Sequence, residues 1–243
     1  MSQRKTLVVA GHGMVGHRFV QAASERGLTE RYDIVVVGEE PRPAYDRVAL
    51  TSFFDAQSAD ELSLLPEGRY DDPRVRLLLS TTVTGIDRDA RTVRLSDGQE
   101  LGYDALVLAT GARPFVPPVP GHDLPGCFVY RTIEDLEAIR DAAAGASVGA
   151  VIGGGLLGLE AANALRLLGL HTSVVEMAPR LMAVQLDDGG GRALRGHVEA
   201  LGIDVHTGVA VAGVATTPDG RVTGLRLGGA DSEPERLLPA ELV

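Results

Sequence analysis

Apolar and polar positions along this chain fall into short hydrophobic runs and amphipathic stretches, and their order repeats. Thr6-Leu-Val-Val-Ala10 reads as a buried strand, being strand-length and rich in β-branched residues. A glycine cluster at 11–16 follows, then a stretch predicted helical to about Arg26, then Ile34-Val-Val-Val37 and the acids Glu39 and Glu40. The series returns with Ser147-Val-Gly-Ala-Val-Ile152, glycines at 153–158, a helix to about Leu168 stopped by Gly169, Thr172-Ser-Val-Val175 and Glu176. Two strand–helix–strand units in one chain predict an α/β protein with two Rossmann-like domains.

The intervening pattern locates the boundary. Val75 to Leu79 reads as a strand, and alternating positions from Thr82 to Leu95 and from Glu100 to Leu106 predict a small antiparallel meander around the Asp97-Gly98 turn. Ala105 to Thr110 is then a buried strand ending at Gly111. Prolines crowd residues 113–120, where a fixed φ and a missing N–H favour a crossover over a ladder. This predicts one domain over 1–118 and another over 119–243. Thr132 with Asp135 three residues on forms a capping-box start for a helix to about Ala143. Arg192 to Leu201 reads as a helix, Ile203 to Val209 as a strand, and Pro218-Asp-Gly220 as a hairpin turn before a last apolar strand.

The glycine clusters carry the candidate chemistry. In a G-x-G-x-x-G turn the first glycine permits the bend, the second lets backbone approach a diphosphate, and the third packs the helix onto the strand. Gly11, Gly13 and Gly16 fit, as do Gly153, Gly155 and Gly158. The amides that open each helix, at Met14 and Val15 and at Leu156 and Leu157, then face the phosphates at the positive end of the helix dipole. An acid about 20 residues on accepts the ribose hydroxyls. Glu39, with Glu40 beside it, lies 23 residues past Gly16, and Glu176 lies 18 past Gly158. A carboxylate at Glu176 repels a 2′-phosphate and so favours NADH; Arg180 nearby keeps NADPH open.

Composition narrows the rest. With 23 basic against 33 acidic residues the formal charge is -10, which repels nucleic acid and anionic membrane surfaces. The single cysteine, Cys127, excludes an internal disulfide and an iron–sulfur cluster held by this chain alone, and with no Cys-x4-Cys pair a disulfide reductase is not expected. The histidines, His12, His17, His122, His171, His197 and His206, show no ligand spacing; no metal site is expected, and each is expected at a surface or helix end. The basic start, Met1 to Lys5, precedes an apolar run of strand length only, and no other run approaches the roughly 20 residues of a membrane span, so a cytoplasmic enzyme is expected.

Longer phrases bring in a resemblance. Gly11-His-Gly-Met-Val-Gly-His-Arg-Phe19, Glu39-Glu-Pro-Arg-Pro-Ala-Tyr-Asp-Arg-Val48, Cys127-Phe-Val-Tyr-Arg-Thr-Ile-Glu-Asp-Leu136, Gly153 to Ala162 and Leu181-Met-Ala-Val-Gln-Leu-Asp187 resemble the two-dinucleotide-fold flavoprotein reductases. Within them the likeness runs to the large subunit of assimilatory NAD(P)H nitrite reductases. The resemblance implies the three-layer ββα type of fold, FAD in the first unit and NADH or NADPH in the second, and hydride transfer between them.

It also implies residue roles. Arg47 would lie over the flavin, the backbone near Val83 would meet the adenine, and Ala109, Thr110 and Gly111 would close the flavin domain. Glu160 would sit where nicotinamide meets the flavin ring, as the candidate catalytic residue. Where ferredoxin reductases carry Pro and Lys, this chain has Val48 and Ser52. The family continues past the position of Val243 with a second flavin-contacting segment, so the C-terminal part of the fold is expected to be missing. The implied partner is a polypeptide or domain with iron–sulfur and sirohaem centres, and nitrite is not expected to be reduced by this chain alone. A generic NADH:ferredoxin or rubredoxin reductase, and a non-catalytic fragment that binds NADH only, are the alternatives; the sequence leaves a homodimer open.

Overall fold

β-Branched residues build the parallel strands because their stiff side chains pack on a pleated surface. In the first half these are β1 (Lys5–Ala10), β2 (Tyr32–Val37), β3 (Val75–Leu78) and, beyond a meander, β7 (Ala105–Leu108), hydrogen-bonded in the order β3-β2-β1-β7. Helix α1 (Met14–Glu25) crosses from β1 to β2. The meander is β4 (Val83–Asp87), β5 (Thr92–Leu95) and β6 (Glu100–Gly102). The coordinates are a computed structural model describing residues 4–54, 58–65, 67–228 and 236–243. Met1 to Gln3, part of the basic start, lie outside them.

The period of two sorts side chains to opposite faces of this sheet. Leu7, Val9, Ile34 and Val36 pack with Val20 and Ala23 of α1. Val8, Val35 and Val37 pack instead with Val93 and Leu95 of the meander. Helix, parallel sheet and meander thus form three layers with a core on each side of the sheet. Each fully buried valine contributes roughly 1.5–3 kcal/mol.

The second half repeats the plan. Helix α2 (Ile133–Ala143), β8 (Val148–Ile152), α3 (Leu156–Leu167), β9 (His171–Glu176), α4 (Asp188–Ala200) and β10 (Ile203–Thr207) give a parallel sheet in the order β10-β9-β8. An antiparallel sheet of β11 (Val211–Thr216), β12 (Val222–Leu227) and β13 (Arg236–Pro239) supplies the third layer. Val174 faces the helices, with Ala162 and Val198, while its neighbour Val175 faces the antiparallel sheet, with Val214 and Leu225. Past β13, Leu242 makes a parallel bridge to Gly149, beside β8.

The chain divides into two units, Met1–Ala49 with Gln57–Arg113 and Leu50–Ala56 with Pro114–Val243. The division falls a few residues before the position expected from the prolines, and a short segment from the first half joins the second. A 3-10 helix over Arg47–Phe54, unread in the sequence, accounts for that segment. Phe53 lies under the Arg140 guanidinium at 5.4 Å, and Phe54 packs on the cluster of Ile139, Leu165 and Leu170. Among the described residues no helix is long and apolar enough to cross a membrane.

Candidate functional site

Each unit carries a glycine loop at the carboxyl end of its first parallel strand. In the first, the Gly11 amide donates to the Val37 carbonyl at 2.8 Å, which turns the chain across the strand ends with φ at 108°. A Cβ on Gly11 would stand 2.1 Å from the Ala109 carbonyl oxygen, and one on Gly16 2.1 Å from the Gly11 oxygen, so backbone fills both places. Gly13 differs: nothing lies within 4 Å of its Cβ direction. It is the N-cap of α1, makes no side-chain cap, and no acid stands in the first turn. Amides at Met14 and Val15 therefore open the helix with no anionic side chain of their own to satisfy them, as a phosphate site requires.

Ala109, Thr110 and Gly111 lie against this loop. The Ala109 amide donates to the Ala10 carbonyl at 2.7 Å, and its carbonyl covers Gly11. Glu39 is exposed, 4.0 Å from Arg113. The Glu40 carboxylate accepts from the Tyr45 hydroxyl at 2.6 Å and from Arg47 at 2.5 Å, and the Arg47 guanidinium lies 4.9 Å from the Tyr45 ring centre. Arg47, expected over a flavin, is partly buried and paired with Glu40. Val83 opens β4, opposite Leu95, and packs on the meander-side core.

The second loop reproduces the first. The Gly153 amide donates to the Val175 carbonyl at 2.8 Å, and a Cβ on Gly158 would stand 1.9 Å from the Gly153 oxygen. Gly155 is again an open N-cap, and α3 again begins with no side-chain cap and no acid in its first turn. The side chains of Leu156 and Leu157 are more than half exposed around that opening.

Glu176 ends β9 and clasps the loop. One carboxylate oxygen accepts the Gly154 amide at 2.6 Å and the other the Ala178 amide at 2.7 Å. A carboxylate offers about four lone-pair sites, so acceptor capacity remains on both oxygens. Arg180 is turned into the loop that follows: it donates to the Leu186 carbonyl and to Asp188 at 2.9 Å each, and to the Ala183 carbonyl at 3.3 Å.

Glu160 lies on α3, one turn past the loop, and burial raises its carboxyl above the ordinary range. Burial, with a smaller contribution from the Glu160 charge, raises the Tyr130 phenol, whose hydroxyl reaches Thr51 Oγ1 at 3.4 Å. A mostly apolar cavity of about 380 Å³ adjoins this helix, lined by Leu157, Gly158 and Ala161 together with Phe128 and Tyr130.

Two expectations fail. Ala105 to Thr110, expected as a buried strand, is a strand only over Ala105–Leu108, with Leu108 61% exposed. His12, expected at a surface or helix end, is only 8% exposed. Its ring fills the space beside Gly38, its Nδ1 accepts the Ala44 amide at 3.2 Å, and its Nε2 meets the Tyr70 hydroxyl at 3.0 Å. Nothing in the spacing marks it, because its partners Ala44 and Tyr70 come from segments distant in sequence. Cys127 is half-buried with its thiol pushed up, which leaves it a poor nucleophile. No cluster of metal-binding side chains occurs among the described residues.

Two open, uncapped helix starts, each on a glycine loop at a strand end, define a protein with two dinucleotide-binding folds. The pattern of the pyridine nucleotide-disulphide oxidoreductases matches residues 5–243, and the chain belongs to that family of oxidoreductases. It is 52% identical over 227 residues to the nitrite reductase [NAD(P)H] large subunit of Klebsiella oxytoca, covering 93% of this chain and 24% of that one. It is 49% identical over 201 residues to the nitrite reductase (NADH) large subunit of Escherichia coli, covering 83% and 24%. Among solved structures it is similar to the ferredoxin reductase of the CYP199A2 system from Rhodopseudomonas palustris, with a TM-score of 0.85 at 30% identity, over 98% of this chain and 57% of that one. The chain thus spans about a quarter of the length of these nitrite reductase subunits.

Proposed function

We propose that this chain is the electron-input part of an NADH-dependent nitrite reductase, holding FAD on the first glycine loop and NADH on the second. The observation that carries the reading is the pairing of the loops: in each unit the second glycine is open where backbone must approach a diphosphate, and the helix behind it starts uncapped. The residues present fit both groups. When bound, the cofactors supply hydride transfer from nicotinamide to flavin.

The chain's own residues bind and orient. Amides at Gly13 to Val15 and at Gly155 to Leu157 hold the diphosphates, Glu39 takes the hydroxyls of one adenosine ribose, and Ala109 to Gly111 flank the first loop. Glu176, steadied by Gly154 and Ala178, presents its remaining lone pairs to the other ribose. It opposes a 2′-phosphate, and Arg180 is spent on Leu186, Ala183 and Asp188 instead of being available to offset that charge. NADH is therefore the preferred donor. Glu160 orients the nicotinamide. Val83 meets the adenine of FAD, and Arg47 approaches the flavin by letting go of Glu40.

Nitrite reduction needs centres that one cysteine cannot anchor, so electrons pass to a partner polypeptide or domain carrying iron–sulfur and sirohaem groups. We assign the reaction to the cytoplasm, where a soluble NADH-fed reductase would work. The 30% likeness to a ferredoxin reductase supports a second reading, in which the acceptor is a small iron–sulfur protein.

Anaerobic titration of the FAD-loaded chain tests the proposal. NADH is expected to bleach the flavin absorbance at lower concentration than NADPH, with no nitrite consumed. Tighter use of NADPH would contradict the donor assignment, and nitrite-dependent NADH oxidation by the chain alone would contradict the partition of the reaction.

A further inference from the structure

Three side chains of the first unit form a cluster that the proposed chemistry does not use. His12 sits inside the glycine loop, His17 one turn along α1, and Tyr70 in the segment before β3. The Tyr70 hydroxyl lies 3.0 Å from His12 Nε2 and 3.2 Å from His17 Nδ1, and its ring stacks on that of His17 with centres 5.8 Å apart. Hydrogen positions follow from one fixed donor. The Ala44 amide can only donate, so His12 Nδ1 carries a lone pair and, in a neutral ring, the proton is on Nε2. That N–H donates to the Tyr70 oxygen, and the Tyr70 hydroxyl is left to donate to His17 Nδ1. Burial lowers both histidines, His12 to about 4 with His17 as the next cause, and raises Tyr70, so all three groups are neutral as the sequence of bonds requires.

The starting point of the chain is the 40–47 loop. Ala44 is 2% exposed; its carbonyl accepts the Leu64 amide at 2.8 Å, and its own amide has His12. Three residues on comes Arg47, paired with Glu40. We infer that His12, through Tyr70 and His17, is a positioning residue that fixes the 40–47 loop against the first glycine loop, by a hydrogen-bond chain running in one direction from Ala44 to His17. The inference rests on reading that glycine loop as the flavin-nucleotide site.

The geometry separates the two contacts of His12 by substitution. In His12→Asn the amide oxygen falls near the Nδ1 position and still accepts from Ala44, whereas His12→Ala leaves a buried amide unpaired. Dissociation constants for FAD and NADH are measured on the full chain and its variants. His12→Ala is expected to weaken FAD about tenfold and NADH less than twofold, with most of the loss recovered in His12→Asn. A role in general stability alone would not give that split or that recovery.

Imidazole nitrogen NMR on the unliganded protein reads the chain independently of any cofactor. His12 is expected as the Nε2–H tautomer at neutral pH, with Tyr70→Phe shifting the His17 Nδ1 resonance. A folded His12→Ala protein with unchanged FAD affinity, or a His12 protonated on Nδ1, would overturn the inference. Wild-type protein that takes up no FAD while showing the expected tautomers would instead overturn the flavin reading and leave the hydrogen-bond chain standing.

Discussion

Burying a histidine in the neutral form ties stability to pH. The His12 imidazole takes a proton near its ordinary value of 6.5 in the unfolded chain but only at about 4 when folded, because burial, and after it His17, disfavour the charge. Between those values the unfolded chain binds more protons, so this contribution is complete above about pH 6.5 and is lost as pH falls toward 4. Its size is on the order of 3 kcal/mol. Denaturant unfolding at pH 7 and pH 4.5 should show a steeper acid loss in wild type than in His12→Asn; equal losses would contradict this account.

At this scale the sequence was legible wherever backbone, not side-chain environment, made the demand. Gly11, Gly16 and Gly158 were identifiable because only a missing Cβ fits against a carbonyl, and Gly153 because its φ of 116° suits a residue without a Cβ. His12 and the Glu40–Arg47 pair were not, because their partners, Ala44, Tyr70 and Tyr45, are set by loop geometry that no spacing rule encodes.

Helix α2 shows how far local rules reach among the elements. Thr132 Oγ1 accepts the Asp135 amide at 3.1 Å, and Asp135 accepts the Thr132 amide at 2.8 Å, the reciprocal cap that the residue types predict. Thr132→Ala is expected to cost about 1 kcal/mol, measured by chemical denaturation, with little effect on either coenzyme. The parallel strands were readable as short unbroken β-branched runs, since both their faces are buried, and the meander from alternation. The 3-10 helix over Arg47–Phe54 escaped notice. Its Leu50 and Phe53 are buried, yet a short helix with two anchors has no sustained period to detect.

Across the whole molecule, the internal repeat in the sequence became two copies of one layered unit, each with its own core and its own glycine loop. The shared plan of their loops, an open second glycine and a third closed by the first glycine's carbonyl, explains why one rule reads both: a diphosphate on a helix dipole asks for the same backbone wherever it is bound. It also makes the two sites separable. Gly16→Ala and Gly158→Ala each force a methyl group onto the carbonyl of a different loop. Isothermal titration calorimetry of the folded chain and these two variants with FAD and with NADH tests the central claim most directly. The account predicts one FAD and one NADH per chain, with FAD lost in Gly16→Ala and NADH lost in Gly158→Ala; correctly folded wild-type protein that takes up neither would contradict it.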